Sequence, residues 1–396
     1  MSTTVVYKGF NLIDGTGKEP VKDSYMMVEG EKIIKIGKVS DLSENSNFKT
    51  IDLSGKFVMP GLINSHVHIT MEPVGNSFEI IKNESDAMTS LRGVKNLKKT
   101  LELGTTYFRD LGGPVGIDLD LRNAVNKKFI EGPEFLAAGK VICMTGGHGW
   151  MTGREADGPV ETRKAAREQL KAGADVIKVM ATGGVMTEGV EPGSPQFTIE
   201  EMASAIEEAH KAGKKTATHA QGTTGIKNAI KAGIDSIEHG FYLDDEIFEM
   251  MKEKGVFLVA TLVAPYFIVE NGKDGSIPEY AVKKATDAME AHQESFKKAY
   301  KAGVKIAMGT DSGTPYNHHG SAPHEIKLMI ECGMNPMDAL VASTKGSAEC
   351  LGITDKYGTI EKNKFADFLV LDSNPLDNID TLFNINSVYK LGKKVK

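Results

Sequence analysis

Residues Gly61-Leu62-Ile63-Asn64-Ser65-His66-Val67-His68 decide how the chain is read. An apolar run closing on two histidines one residue apart has the period of a strand. That period sends both imidazoles to one side, where they can chelate one ion. Alone, such a pair is a weak signal and more often two histidines on a polar strand face, so its meaning depends on what surrounds it. Downstream, strand-like and helix-like segments alternate, the pattern of a parallel sheet wrapped by helices. Eight strand candidates run near Val58 to His68, Thr105 to Leu111, Glu134 to Ala138, Asp175 to Ala181, Lys215 to His219, Ser236 to His239, Val256 to Thr261 and Lys305 to Asp311. Eight is the strand number of a (β/α)8 TIM barrel. One intervening helix has a legible start: Thr198 with Glu201 three residues on can form a capping box ahead of Met202, Ala205, Ile206 and Ala209, and Gly213 would stop it.

The potential metal ligands fall at the ends of these strands. His66 and His68 close the first, His219 the fifth, His239 the sixth and Asp311 the eighth. All five therefore gather at the end of the barrel where such enzymes carry their active sites. Lys178 lies in Asp175-Val176-Ile177-Lys178-Val179-Met180, an otherwise apolar strand in which a free ammonium is costly to bury. Two readings remain open for it. Either it pairs with a carboxylate inside the barrel, or desolvation frees the neutral amine to react with carbon dioxide, giving a carbamate able to bridge two cations.

Outward from the barrel, Val5 to Phe10 and Ser24 to Val28, with a turn at Glu29-Gly30-Glu31, read as antiparallel strands. The same character returns in Ala366 to Leu371 and Ser387 to Leu391. Residues 1–57 together with 356–396 are therefore expected to form a small β-sandwich domain, and 58–355 the barrel. A chain of 396 residues with 40% apolar residues is long enough for both. The net charge of -6 is dispersed, with no basic stripe to meet a phosphate backbone, so no nucleic-acid partner is expected. Cys143, Cys332 and Cys350 match no metal-ribbon spacing, and their odd number speaks against a disulfide framework. With no signal-like start and no run of roughly 18 apolar residues, the expected setting is the cytoplasm, without a membrane partner.

His66-x-His68, Lys178, His219, His239 and Asp311, in that order and at those strand positions, resemble the binuclear branch of the amidohydrolase superfamily. The resemblance extends through Gly61 to His66 and Gly309-Thr310-Asp311-Ser312-Gly313, and covers nearly the whole chain. It implies two divalent metal ions, zinc by default: His66 and His68 on one, His219 and His239 on the other, N6-carboxylated Lys178 bridging them, and Asp311 completing the first site. Within that superfamily, Ala181-Thr182-Gly183-Gly184, His219-Ala220-Gln221-Gly222 and Ser236 to Gly240 look like the prolidase-like dipeptidases related to imidazolonepropionase. By that narrower resemblance His148, in Gly146-Gly147-His148-Gly149, and Tyr242 would meet a substrate carboxylate. A flexible loop with an exposed imidazole and a rim aromatic are the plain alternatives for these two. His318, His319 and His324 are candidates to line the pocket, whereas His210 and His292 are expected on the surface.

The chemistry so implied is hydrolysis of a peptide or amide C–N bond in a small carboxylate-bearing substrate, an Xaa-amino-acid dipeptide or an N-acyl amino acid. A water shared by the two ions is activated and the scissile carbonyl polarised. Asp311 is the catalytic residue, taking the water's proton and passing one to the leaving amine. A cyclic amide, lactone or imidazolone hydrolase is the alternative, though Lys178 argues against the mononuclear members of that kind. Gln221 and Gly222 after His219 lack the His-x-x-Glu pattern of a deaminase. An inactive scaffold would be expected to have lost ligands, and all six are present. The partner expected is a small molecule or dipeptide, with a homo-oligomer also compatible.

Overall fold

The computed structural model describes residues 4–42 and 48–396. Strand Thr4–Leu12 pairs antiparallel with Val21–Glu29, which turns at Gly30 into Lys32–Lys38. From the other end of the chain, Phe368–Leu371 and Ser387–Lys390 pair with each other, and Phe368–Leu371 also lies antiparallel to Phe57–Pro60. The two ends thus share one eight-stranded mixed sheet. Its apolar core includes Phe10, Met26 and Val58. Tyr7 there meets the Phe368 ring edge-on at 5.1 Å, and Phe368 stacks on Tyr389 at 4.3 Å.

The first expected strand is two strands. Phe57–Pro60 belongs to the sheet of the chain ends, and Leu62–Val67 begins the central ring. Gly61 is the joint: its N–H donates to Asp367 O (3.0 Å), and the next N–H, of Leu62, donates to Gly104 O (3.0 Å). A Cβ added at Gly61 would stand 2.1 Å from Thr106 Oγ1, so a side chain is excluded by contact.

Leu62–Val67, Thr105–Asp110 and Glu134–Ala137 form one parallel sheet. Val176–Met180, Lys215–Ala220, Ser236–His239 and Phe257–Val259 run parallel in a second, which also holds the short strands Ile142–Cys143 and Arg154–Glu155. Asp175 N–H to Ala137 O (2.8 Å) links the two sheets on one side. On the other side the eighth expected strand, Lys305 to Asp311, makes no regular ladder and carries one isolated bridge, Leu258 to Ile306. Its backbone nonetheless reaches both neighbours: Ala307 N–H donates to Leu258 O (3.0 Å), and Met308 O accepts from Ser65 N–H (2.8 Å). The ladder fails because the segment bends at its end, where Asp311 is left-handed (φ 58) and both Thr310 and Asp311 direct their N–H to His66 O. The architecture is a TIM-barrel-like α/β ring of two regular sheets, joined on one side by the Asp175 to Ala137 hydrogen bond and on the other through the irregular eighth segment, with no continuous eight-stranded ladder among the described residues.

Helices alternate with these strands. Helix Ile199–Lys211 begins with the expected capping box, Thr198 accepting from Glu201 N–H and Glu201 from Thr198 N–H, and buries Met202, Ala205, Ile206 and Ala209. His210, near its end, pairs with Asp235 at 2.8 Å on the exposed side. His292 departs from expectation. It is 1% exposed, donates from Nε2 to His239 O (3.0 Å), and its ring lies 4.3 Å from that of Phe241. Its helix, Glu279–Lys301, turns a stripe of Ala281, Ala285, Ala288, His292, Ser295 and Ala299 inward, and the helical period carries His292 with it. Among the described residues, no helix is long and apolar enough to cross a membrane.

Candidate metal centre

The six expected ligands line one cavity at the ends of the ring strands. His66 Nε2 and His68 Nε2 lie 3.3 and 3.2 Å from the same Asp311 oxygen. Donor atoms of these three residues all fall within 4.8 Å of one another, which makes the group a ready cation site. The His219 and His239 rings stand 4.5 Å apart, and His66 is 5.1 Å from His239.

Each imidazole is fixed through one nitrogen. His66 Nδ1 is held by Glu238 Oε2 (2.9 Å), His68 Nδ1 by Gly112 O (2.7 Å), His219 Nε2 by Gly183 O (3.0 Å) and His239 Nδ1 by Thr261 Oγ1 (2.7 Å). Such anchoring sets the ring orientation and leaves the opposite nitrogen to a ligand. Burial also pushes His66, His219 and His239 well below the usual histidine pKa, so these rings are neutral, as ligation requires. His239 (φ 75), Asp311 (φ 58) and Thr261 (φ 55) all hold left-handed backbone, which costs about 1–3 kcal/mol each and is sustained only by a surrounding structure that fixes it.

Lys178 reaches the same cavity from the middle of Val176–Met180. It is 2% exposed, and its Nζ is buried with neither hydrogen bond nor ion pair. The carboxylate-paired reading of this lysine therefore falls away. Burial lowers its pKa from 10.5 to about 8. An orphaned buried amine amid four anchored imidazoles and a carboxylate is a donor set suited to divalent cations.

Two residues that sequence reasoning passed over complete the arrangement. Arg109, fully buried, donates to Ser65 O (2.7 Å), Ser236 Oγ (3.1 Å) and Glu238 Oε1 (2.8 Å). Glu238 in turn holds His66, and also accepts from Ser236 Oγ at 2.6 Å. The signal was weaker than for Lys178: Arg109 follows Tyr107 and Phe108 in a strand that also carries Thr105, Thr106 and Asp110.

His148 is brought to the cavity rather than left on a mobile loop. Its Nδ1 lies 2.8 Å from Thr187 Oγ1 and its ring 4.2 Å from that of His219. Burial lowers its pKa to about 3, so it meets the cavity as a neutral ring. A Cβ on Gly184 would come within 2.5 Å of that ring, which explains the glycine there. Tyr242 is not brought in: it sits on the rim, 37% exposed, while the turn at Gly240 (φ 66) directs Phe241 onto the cavity wall instead. His318, His319 and His324 do not line the cavity. His319 is buried against Met71 O (2.9 Å), and His324 packs edge-on between Phe267 and Phe383. Above the polar floor the walls are apolar, with Met71, Phe78, Ile81, Met186 and Ile268 among them.

Known proteins resemble the chain over nearly its whole length. Over 426 aligned residues the chain is 32% identical to ochratoxinase of Aspergillus niger, covering 99% of this chain and 86% of that protein. A solved Xaa-Pro dipeptidase with methionine bound in its active site superposes with a TM-score of 0.92 at 35% identity, over 99% of both chains. A prolidase complexed with N-methylphosphonate-L-proline gives a TM-score of 0.92 at 28% identity over the whole of both chains. Residues 57–395 match the model of the amidohydrolase family. The chain belongs to the amidohydrolase family, and is an enzyme that hydrolyses amide bonds.

Proposed function

We propose that the enzyme is a binuclear metal-dependent hydrolase that cleaves a peptide or amide C–N bond in a small substrate bearing a carboxylate, a dipeptide or an N-acyl amino acid. The observation that carries this reading is the meeting of His66, His68 and Asp311 beside the unpartnered Lys178 amine. The family is generally metal-dependent, and the dipeptidase and prolidase among its solved neighbours favour a peptide-type bond.

His66, His68 and Asp311 would hold one ion, His219 and His239 the other. Zinc suits such imidazole and carboxylate donors. Lys178 would join the two sets as its carbamate, formed when the neutral amine attacks carbon dioxide and releases a proton. The bound metals would supply an activated water and polarise the scissile carbonyl. Asp311 accepts the proton of the attacking water and returns one to the leaving nitrogen. Glu238, Gly112, Gly183 and Thr261 keep the four rings in place through the turnover. Neutral His148 can donate a hydrogen bond to the substrate carboxylate. In this reading the α/β ring within residues 58–355 is the (β/α)8 domain that carries the chemistry, and the sheet shared by the two chain ends is the small β-domain beside it.

Metal analysis joined to hydrolysis of dipeptides and N-acyl amino acids tests the proposal. About two ions per chain, with hydrolysis lost in Lys178→Ala and Asp311→Asn, is the expected result. No bound metal after reconstitution with zinc and bicarbonate overturns the mechanism, and two metals with an inert panel overturn the substrate class.

A further inference from the structure

The metal cavity opens into a second one. Phe78, Gly149 and Met186 line both. The outer cavity is completed by Trp150, Met151, Thr187, Glu188 and Tyr280. Trp150 and Met151 remain 48% and 44% exposed although both are large and apolar. A single exposed apolar side chain needs no explanation. Two consecutive ones on a cavity flanked by Phe78 and Tyr280, continuous with a candidate active site, mark a binding surface.

That surface is held in shape by its neighbours. Tyr280 Oη donates to Met186 O (3.3 Å), and Lys284 Nζ donates to Thr187 O (2.9 Å) and Val190 O (2.6 Å). Thr187 Oγ1 pairs with His148 Nδ1 at 2.8 Å, tying the outer wall to the inner one. Charge is sparse along the route. Among the described residues, Lys178 and Asp311, both on the floor, are the only lysine and the only acidic residue lining the inner cavity, and Glu188 is the one charged residue lining the outer. Lys284, beside the Tyr280 ring, is already bonded to the Thr187 and Val190 carbonyls, so a charged substituent passing outward gains little from it, whereas an apolar one meets methionine and aromatic surface.

We propose that the substrate carries, on one side of the scissile amide, an apolar chain long enough to pass Phe78 and Met186 and end against Trp150. The substrate class is then an N-acyl amino acid with a medium-length acyl chain rather than a bare dipeptide; hydrolysis adds water across the C–N bond and releases the fatty acid and the amino acid. This rests on the amide-hydrolase reading of the metal centre, yet it can be tested apart from it, because Trp150 is the chain's single tryptophan.

The experiment is a fluorescence titration of Trp150 with N-acetyl-, N-hexanoyl- and N-decanoyl-L-leucine below their micelle concentrations, followed by kcat/KM on the same three. Expected are a saturable blue shift with the decanoyl compound and a Kd that falls up to about fourfold per buried methylene. Tyr280→Ser and Met151→Ser should each lower the decanoyl-to-acetyl ratio of kcat/KM. A silent Trp150, a Kd independent of chain length, or a ratio untouched by both variants overturns the proposal. Chain-length-dependent binding without hydrolysis of any of the three upholds the outer cavity as an apolar site and overturns the N-acyl amino acid as the substrate. Equal hydrolysis of all three with a silent Trp150 does the reverse.

Discussion

Two strands of the ring each bury one cation, and the protein treats them differently. In Thr105–Asp110, Arg109 donates to a carbonyl, a hydroxyl and the Glu238 carboxylate. In Val176–Met180, Lys178 is as deeply enclosed and donates to nothing. Either charge is costly to take out of water. For Arg109 the cost is offset within the chain, and the pair it forms fixes His66. For Lys178 no partner is provided, so the strand holds a group whose partner must arrive from outside. A satisfied buried charge belongs to the scaffold, and an unsatisfied one points to the chemistry.

Removing each cation in turn sharpens or breaks that contrast. The largest effect should be on turnover: with zinc restored, Lys178→Met and Asp311→Asn each lower kcat/KM by about 10²- to 10⁴-fold. Urea unfolding of the metal-stripped Lys178→Met protein should show no loss of stability, and a large loss would mean that Lys178 has an internal partner. Arg109→Met should instead destabilise the fold by about 3–5 kcal/mol, because the buried Glu238 carboxylate loses its cation and keeps only Ser236 and His66. If Arg109→Met unfolds at the wild-type urea midpoint, the contrast is wrong.

A pH experiment isolates Lys178 more finely. Between its lowered value of about 8 and the ordinary 10.5, the unfolded chain holds the proton and the folded chain does not. The full penalty is present below pH 8, and the metal-stripped protein gains stability as pH rises through that window, by about 3 kcal/mol in all. The gain is read as the wild-type slope minus that of Lys178→Met. The smallest change should come from Ser236→Ala, which leaves one Arg109 N–H unpaired and costs about 1–2 kcal/mol in the same unfolding assay.

What the sequence made legible was chemistry at strand ends. His66, His68, His219, His239 and Asp311 could be placed because period and position send them to one end, and they do line one cavity. Their partners were illegible for a physical reason. Glu238 holds His66 from five strands away in chain order, a contact set by ring geometry, of which a linear pattern carries no trace. His292 was a different failure: the alanine stripe on its helix gave the buried face, but the surrounding charged residues masked it. Tyr242 and Phe241 are adjacent, and only the turn at Gly240 decides which of them faces inward. The eighth segment keeps its expected place while losing its regular pairing, since the bend that presents Asp311 also interrupts the ladder.

The joint at Gly61 has a consequence for how the molecule is made. Phe57–Pro60 finds its antiparallel partner in Phe368–Leu371, some 300 residues later in the chain. At a synthesis rate of about 5–20 residues per second, that edge waits roughly 15–60 s on the ribosome before its partner emerges. Throughout that interval the amino-terminal strands present unpaired backbone beside apolar side chains, the surface that invites association with other nascent chains. Moving the carboxyl-terminal strands ahead of Thr4 by circular permutation should shorten the wait and raise the soluble yield without altering the metal centre.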